Sequence, residues 1–326
     1  MRNIKFSIAI PAYKAEYLRE SIESCLSQTY SNFELVIVDD ASPNNLDAVV
    51  TPFLKDARVR FYRNEKNCGA VNVVDNWNIC LEYCTGDYVI CMGDDDRLLP
   101  SCLNEYVKLI DKYPRLGVYH AWTEIIDEHS EYVTMQQPRP EFESCLSLLW
   151  NRWNGRNRQY IGDFCFDANL LKADGGFFKM PLAWGSDEIS CVRAARIGGI
   201  ANTQTLTFQY RQSRFTISSG GKSELKMNAF VQEKLWYESF LNWYEKEVIE
   251  KSNSDYVRVE KKYMASIRAE IVQHYLVKYK EEMCIDMRQN LLRVFKWVKI
   301  RSHYNIPILR VFASFILALL SKFHGA

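Results

Sequence analysis

Short apolar runs alternate with amphipathic stretches as far as Trp122, and that alternation leaves few folds open to the chain. Residues 6–10, 33–38, 59–62, 88–92 and 117–122 are apolar runs of strand length, and the segments between them carry helical periodicity. In residues 15–28, Leu18, Ile22, Cys25 and Leu26 fall at i, i+4, i+7 and i+8, one face of a helix. Residues 46–54, which Pro52 must end or kink, 71–83, and 101–111 after Pro100 read as three more helices. This βαβα order predicts a mostly parallel sheet with helices on both faces.

Two of the strands end in acid. Met92 is followed by Gly93, Asp94, Asp95 and Asp96, and residues 33–38 run into Asp39 and Asp40. Three adjacent carboxylates repel one another, so a cation is expected among them. A hard divalent ion takes oxygen ligands, and Mg²⁺ binds through one or two carboxylates plus a phosphate. In an open α/β sheet, ligands bind outside the carboxyl ends of the strands. Two acidic strand ends therefore suggest a metal–phosphate ligand, with a solvated Asp-rich turn as the plainer alternative.

The order of these pieces carries more than any one of them. A strand ending in Pro11, Ala12 and Tyr13, then Ser27 to Leu35, Asp39–Asp40–Ala41–Ser42, Asn67–Cys68–Gly69, Asn76, Gly86–Asp87–Tyr88 and the acidic loop keep a fixed sequence and spacing. The set resembles the family 2 glycosyltransferases, inverting enzymes of the Rossmann-like GT-A fold, over residues 4–120 and more loosely over 160–218. The resemblance implies a nucleotide-diphosphate sugar donor and a divalent cation, Mg²⁺ or Mn²⁺. It puts the donor nucleotide against Pro11, Ala12, Tyr13, Asp40, Asn67, Gly69 and Asp94, with Asp40 accepting a bond from a base N–H. Asp95 matches the family's metal-binding aspartate, with Asp96 beside it. Gly93 stands where the family usually has an acid.

Further along, Trp184–Gly185–Ser186–Asp187–Glu188 resembles the family's acidic pair at a helix start, and it implies that Asp187 is the catalytic base. Ser186 replaces the first acid of that pair. The plainer alternative is an acid favouring the helix dipole, and Glu188 fits that better than Asp187 does. The segment from Phe208 to Ser218 resembles one that usually carries a histidine near the diphosphate. Ser213 stands there instead, so Arg211 and Arg214 become candidates for diphosphate contact, with a surface role for both the alternative.

Composition limits the remaining classes. With a net charge of +1 the chain lacks the basic excess of a general nucleic-acid binder. Ten cysteines with no C-x-x-C pair read as small buried residues in a reducing compartment. No signal peptide is expected, since the first strand begins near Met1, and the chain reads as cytoplasmic. After Gly220–Gly221 the pattern turns wholly helical, so a catalytic domain is expected over 1–220 and a helical region over 221–326. Residues 288–326 carry seven basic residues and no acidic one; against the total of +1, residues 1–287 hold −6. A basic stretch beside a short apolar helix is expected to associate peripherally with a membrane, at the cytoplasmic face of the inner membrane, with a core-packing helix the alternative. The acceptor implied is a glycan or lipid-linked oligosaccharide in bacterial surface-polysaccharide assembly. Competing readings are a sugar-1-phosphate nucleotidyltransferase, which would want a glycine-rich loop after the first strand, and a non-catalytic metal- or sugar-binding module.

Overall fold

A computed structural model describes residues 3–212, 223–251 and 255–323, and the chain divides into two compact units. The boundary expected near residue 221 lies outside the described residues. In the first unit β1 (Phe6–Ala12), β2 (Phe33–Asp39), β3 (Val59–Arg63) and β4 (Tyr88–Cys91) lie parallel in the order β3-β2-β1-β4. α1 (Leu18–Leu26), α2 (Leu46–Val50) and α3 (Val73–Tyr83) make the crossovers, and Pro52 does end its helix, in a single 3-10 turn. Every residue of β2 is buried, as both faces of a sheet covered by helices require. Leu18, Ile22 and Cys25 of α1 join Phe6, Ile8 and Ile10 of β1 in one core.

Beyond β4 the connections change. They run through β5 (Arg97–Leu98), α4 (Cys102–Lys112), β6 (Val118–Ile126), β7 (Tyr132–Met135), β8 (Phe142–Glu143), α5 (Cys145–Trp153), β9 (Phe164–Asp167), α6 (Ala168–Ala173), α7 (Ser186–Ala195) and β10 (Ile200–Arg211). The sheet continues β9-β6-β10-β5, with β9 antiparallel to both β4 and β6. It is therefore mixed where the first four strands alone predict parallel. The reversal lies in β9, which enters between β4 and β6 and runs against both, and the β6–β7 hairpin adds one more antiparallel pair beside it.

At the amino ends of the strands one carboxylate ties the layers together. Glu34 accepts bonds from Ser7 Oγ and Thr85 N, both at 2.6 Å, and pairs with Lys5 at 3.0 Å and Arg60 at 2.9 Å. Burial works to raise its pKa, but these bonds outweigh burial and draw it down to about 2. Gly86 is required beside this network, because a Cβ there would meet the β1 backbone at 2.7 Å.

The second unit is helical among its described residues: α8 (Ser223–Tyr244), running into a π-helical turn over Glu245–Ile249, α9 (Asp255–Gln289), α10 (Arg293–Ile300) and α11 (Ile308–Phe323). Its interior is aromatic, with Tyr237, Tyr275 and Trp297 fully buried and Trp297 Nε1 donating to Asp286 Oδ2 at 2.9 Å. No described helix is long and apolar enough to cross a membrane.

Candidate active site

The carboxyl ends of β1, β2 and β4 meet at one edge of the sheet. Pairing of β1 with β4 stops at Ala9 and Cys91, so β1 runs on alone on that side. That is why Pro11, which has no N–H to donate, is tolerated in a central strand. Ala12 is buried, and the Tyr13 ring stands 44% exposed at the strand's tip. The Tyr13 carbonyl accepts Ser42 Oγ at 2.5 Å, while the Tyr13 and Lys14 N–H groups both donate to Asp94 Oδ2 at 2.7 Å. The tip is thus clamped between the loops that follow β2 and β4.

Asp40 is buried beside it. Its Oδ1 accepts Asn64 Nδ2 at 2.9 Å and the Cys68 N–H at 3.0 Å, and its carbonyl accepts Asn67 Nδ2 at 2.7 Å. Gly69 closes this loop at φ +78, a conformation that favours glycine. Next to the loop lies a cavity of about 300 Å³, lined by Val71, Asp75, Lys179 and Pro181 among others. The exposed Tyr13 ring, the loop at Asp40 and this cavity offer a flat aromatic face, an acceptor and a recess.

The three acids after Gly93 are not equivalent. Asp94 is spent on the β1 tip, and Asp96 Oδ1 accepts the Arg211 N–H at 3.0 Å. Both are buried, and burial, with the neighbouring Asp95, pushes both pKa values up despite those bonds. Asp95 alone is partly exposed, and its carboxylate pairs with Lys14 Nζ, which also lies 3.5 Å from Asp94 Oδ1. Burial would lower the Lys14 pKa, but Asp94 and Asp95 outweigh it and raise the ammonium's pKa. A lysine of this chain thus stands among the carboxylates. Gly93 fits the same crowding, since a Cβ there would come within 2.8 Å of Asp96 Oδ2 and 2.9 Å of Asp95 Oδ1.

No group of three or more His, Cys, Asp or Glu able to hold a metal exists among the described residues. An ion such as Mg²⁺ does not need one when substrate phosphate completes its shell. The residues fit an ion shared between Asp95 and a diphosphate, and do not fit a cage made by protein alone.

Arg211 closes the loop from behind. It is fully buried over the Tyr17 ring, with Nε donating to the Asp95 carbonyl at 2.8 Å, Nη1 to Ser130 Oγ at 2.9 Å and Nη2 to Glu20 Oε2 at 2.9 Å. So placed, it shapes the acidic loop and does not reach open space, contrary to the role of diphosphate ligand expected for it. Ser213 and Arg214 lie outside the described residues.

Asp187 approaches from the other half of the unit, in the first turn of α7. The chain reaches that turn through Leu182 and Ala183, both held at positive φ (59 and 55), and through Gly185 at φ 82. Backbone strain of this kind costs of order 1–3 kcal/mol per residue and clusters at functional sites. Buried Glu188 pairs with Arg152 at 3.0 Å and accepts Trp153 Nε1 at 3.3 Å. Asp187 is half-buried, and its pKa is pushed up to about 6, chiefly by burial and by Glu188, against a downward pull from Arg152.

Sequence reasoning missed two rings that belong with these acids. Tyr160 and Tyr210 stack with centroids 3.6 Å apart and planes at 9°. The Tyr210 pKa is raised by burial first, and Asp96, Tyr160, Asp95 and Asp187 each add to the rise. Asp163 holds the platform, accepting the Tyr160 N–H at 3.2 Å and Gln136 Nε2 at 3.0 Å.

The family model described as Glycosyl transferase family 2 matches residues 7–177. A relative from Escherichia coli, named UDP-Glc:alpha-D-GlcNAc-diphosphoundecaprenol beta-1,3-glucosyltransferase WfgD, is 29% identical over 224 residues, 68% of this chain and 82% of that protein. An uncharacterized glycosyltransferase of Haemophilus influenzae is 26% identical over 63% of this chain, and the match spans only 64% of that protein's length. Among solved structures, Staphylococcus aureus TarS 1-349 in complex with UDP-GlcNAc superposes with a TM-score of 0.59 at 14% identity, covering 99% of this chain and 92% of that one. At that identity the likeness is one of fold.

Proposed function

The chain belongs to glycosyl transferase family 2, and we propose that it is an inverting, metal-dependent transferase that moves a sugar from a UDP-sugar to a hydroxyl of a lipid-linked oligosaccharide. The family acts on nucleotide sugars. The choice of UDP rests on the names of the WfgD and TarS matches, and the lipid-linked acceptor on that of WfgD alone. Surface-polysaccharide assembly at the cytoplasmic face of a bacterial inner membrane follows from that acceptor. Peripheral association through residues 288–326 would bring the enzyme to it.

One observation carries the mechanism: Asp187, in the first turn of α7, has its pKa pushed up to about 6, and it acts with Asp95 and Asp96 to raise the pKa of the same tyrosine, Tyr210. The uracil would stack on Tyr13 and donate its N–H to Asp40, with Asn67 and Gly69 holding that loop. Asp95 would hold a divalent ion against the diphosphate, and that ion would neutralise charge on the leaving group. Asp94 keeps the β1 tip in place, and Asp96 fixes the loop to β10.

Asp187 then takes the acceptor hydroxyl's proton as that oxygen bonds to the anomeric carbon. The bond from that carbon to the diphosphate oxygen breaks on the opposite side, UDP departs, and the configuration inverts. A base that titrates near the working pH gives the largest advantage, typically about 10²–10⁴-fold. Glu188, paired with Arg152, orients rather than accepts.

The test is stereochemical. The purified chain is given UDP-glucose or UDP-N-acetylglucosamine and a diphospholipid-linked sugar, and the anomeric proton of the product is read by NMR. The expected product is the β-linked sugar from the α-linked donor. A retained α linkage would overturn the inverting mechanism, and transfer undiminished in EDTA would overturn the metal.

A further inference from the structure

In the second unit α11 packs on α9 through Val311, Ser314 and Ala318, all fully buried, and Ser314 Oγ donates to the Lys280 carbonyl at 3.0 Å. On its other side Leu309, Phe312 and Ile316 recur at helical spacing, and they are 77%, 45% and 54% exposed. The neighbouring α10 repeats the arrangement. Its Val294 and Trp297 are buried, while Phe295, with Leu292 just before the helix, stands 72% and 70% exposed. A water-facing helix turns its polar face outward. These two turn large apolar side chains outward, and exposed apolar surface of this kind marks a place of interaction.

Charge decides what lies against that face. The whole of 288–326 carries seven basic residues and no acid. Arg293 is paired with Asp286, and Lys296 with Glu224 and Asp286, whereas Arg288 at the end of α9 and Lys299, one turn after Phe295 on α10, stand exposed. Arg288 and Lys280 also line a groove of about 600 Å³ with Ile285, Leu317 and one acid, Glu281. A second copy of the same face would set cations against cations. An anionic bilayer offers both apolar depth and negative charge. The 16 residues of α11 make a helix about 24 Å long, short of the roughly 30 Å hydrocarbon core.

We propose that α10 and α11 lie in the plane of an anionic membrane, with Leu292, Phe295, Leu309, Phe312 and Ile316 in the headgroup–acyl boundary and Arg288, Lys299 and Lys280 on lipid phosphates. This deepens the peripheral association proposed above by giving it a face, and it does not depend on the donor chemistry.

The experiment uses the full chain and sedimentation with phosphatidylcholine vesicles, with and without phosphatidylglycerol, while UDP binding is followed by thermal shift. The wild type should sediment with the anionic vesicles and be released by high salt. Leu309→Ser/Phe312→Ser/Ile316→Ser should abolish sedimentation, and Leu292→Ser/Phe295→Ser should weaken it. Arg288→Gln and Lys299→Gln should each weaken partitioning by about fivefold on anionic vesicles and leave neutral ones unchanged, as roughly 1 kcal/mol per cation implies. Because the two apolar variants sit on different helices, a folding failure in one leaves the other to decide. Sedimentation of both like the wild type would overturn the proposal. So would binding indifferent to phosphatidylglycerol, or a dimer by light scattering that either variant breaks. Intact vesicle binding without sugar transfer would fault the donor reading and leave this face standing.

Discussion

The two ends of the catalytic sheet treat carboxylates in opposite ways. At the amino ends of the strands Glu34 is buried among Ser7, Thr85, Lys5 and Arg60, and its pKa falls to about 2. At the carboxyl ends Asp94 and Asp96 are also buried and hydrogen-bonded, yet their pKa values rise, as does that of Asp187 to about 6. Burial pushes every one of these acids up, so the difference lies in what acts against it. Glu34 has two cations and three donor groups from Ser7 and Thr85, whereas Asp94 and Asp96 share one lysine with Asp95, and Asp187 has Arg152 set against Glu188. The lower carboxylate stabilises the ionised fold. The upper ones hold charge that the fold does not favour, as functional sites do.

The comparison is broken most directly at Asp187. Asp187→Asn should lower turnover by about 10²–10⁴-fold while leaving UDP affinity unchanged, since the base proposed for it acts only once the hydroxyl attacks. In the wild type, turnover should fall as pH drops below about 6, when the base becomes protonated. Stability should move the other way. The folded value lies above the unfolded carboxylate's ~3.9, so the native state binds the extra proton, and this acid's contribution improves as pH falls from 6 toward 4. Wild-type turnover in the purified variant would pass the role to another group.

Glu34 should give the mirror image. Glu34→Gln leaves activity per folded molecule intact but costs about 2–3 kcal/mol in urea unfolding, because several donors lose a charged acceptor. Its folded value lies below the unfolded ~4.3, so its stabilisation is full above that pH and is lost as pH falls toward 2. An acid-unfolding curve unchanged by the substitution would remove the contrast between the two edges.

How much of this could be read beforehand follows from sequence distance. β1 to β4 and α1 to α4 were legible because each is a complete apolar or amphipathic period bounded by turn residues. The meeting of Tyr13, Asp40 and Asp94 was legible for the same reason, since each follows a strand end in a parallel sheet. α5 shows no clear period in the sequence, although Ser144 caps it and Cys145, Leu146, Leu148 and Leu149 are buried along it. The Trp and Arg residues around that period masked it. β9 is four residues long, too short to carry a period, and the exposed Gln204 and Thr205 within β10 disguise a strand of twelve. The Tyr160–Tyr210 stack and the Lys14–Asp95 pair had no local signal at all. Lys14 and Asp95 are 81 residues apart and meet only because β1 and β4 are neighbours.

That last pair offers the smallest expected effect and the finest test of the contrast, because it asks whether the upper edge is waiting for another cation. Lys14 Nζ pairs with Asp95, the one acid of the three that is neither buried nor tied to backbone. A divalent ion entering between Asp95 and a diphosphate must displace that ammonium or share the carboxylate with it. A partly exposed pair of this kind is worth about 0.2–1 kcal/mol. Lys14→Met, which keeps the length of the side chain and removes the charge, should therefore tighten Mn²⁺ binding to the nucleotide-free protein by no more than about fivefold. Asp95→Asn should act in the opposite sense, weakening UDP binding in Mn²⁺ and making it indifferent to EDTA. Electron paramagnetic resonance of free Mn²⁺ reads the first, and thermal shift with UDP reads the second. If Lys14→Met leaves Mn²⁺ affinity unchanged while Asp95→Asn still abolishes the EDTA effect, the lysine does not compete for the ion. The upper edge would then resemble the lower one, with its cation as permanent as Lys5 is for Glu34.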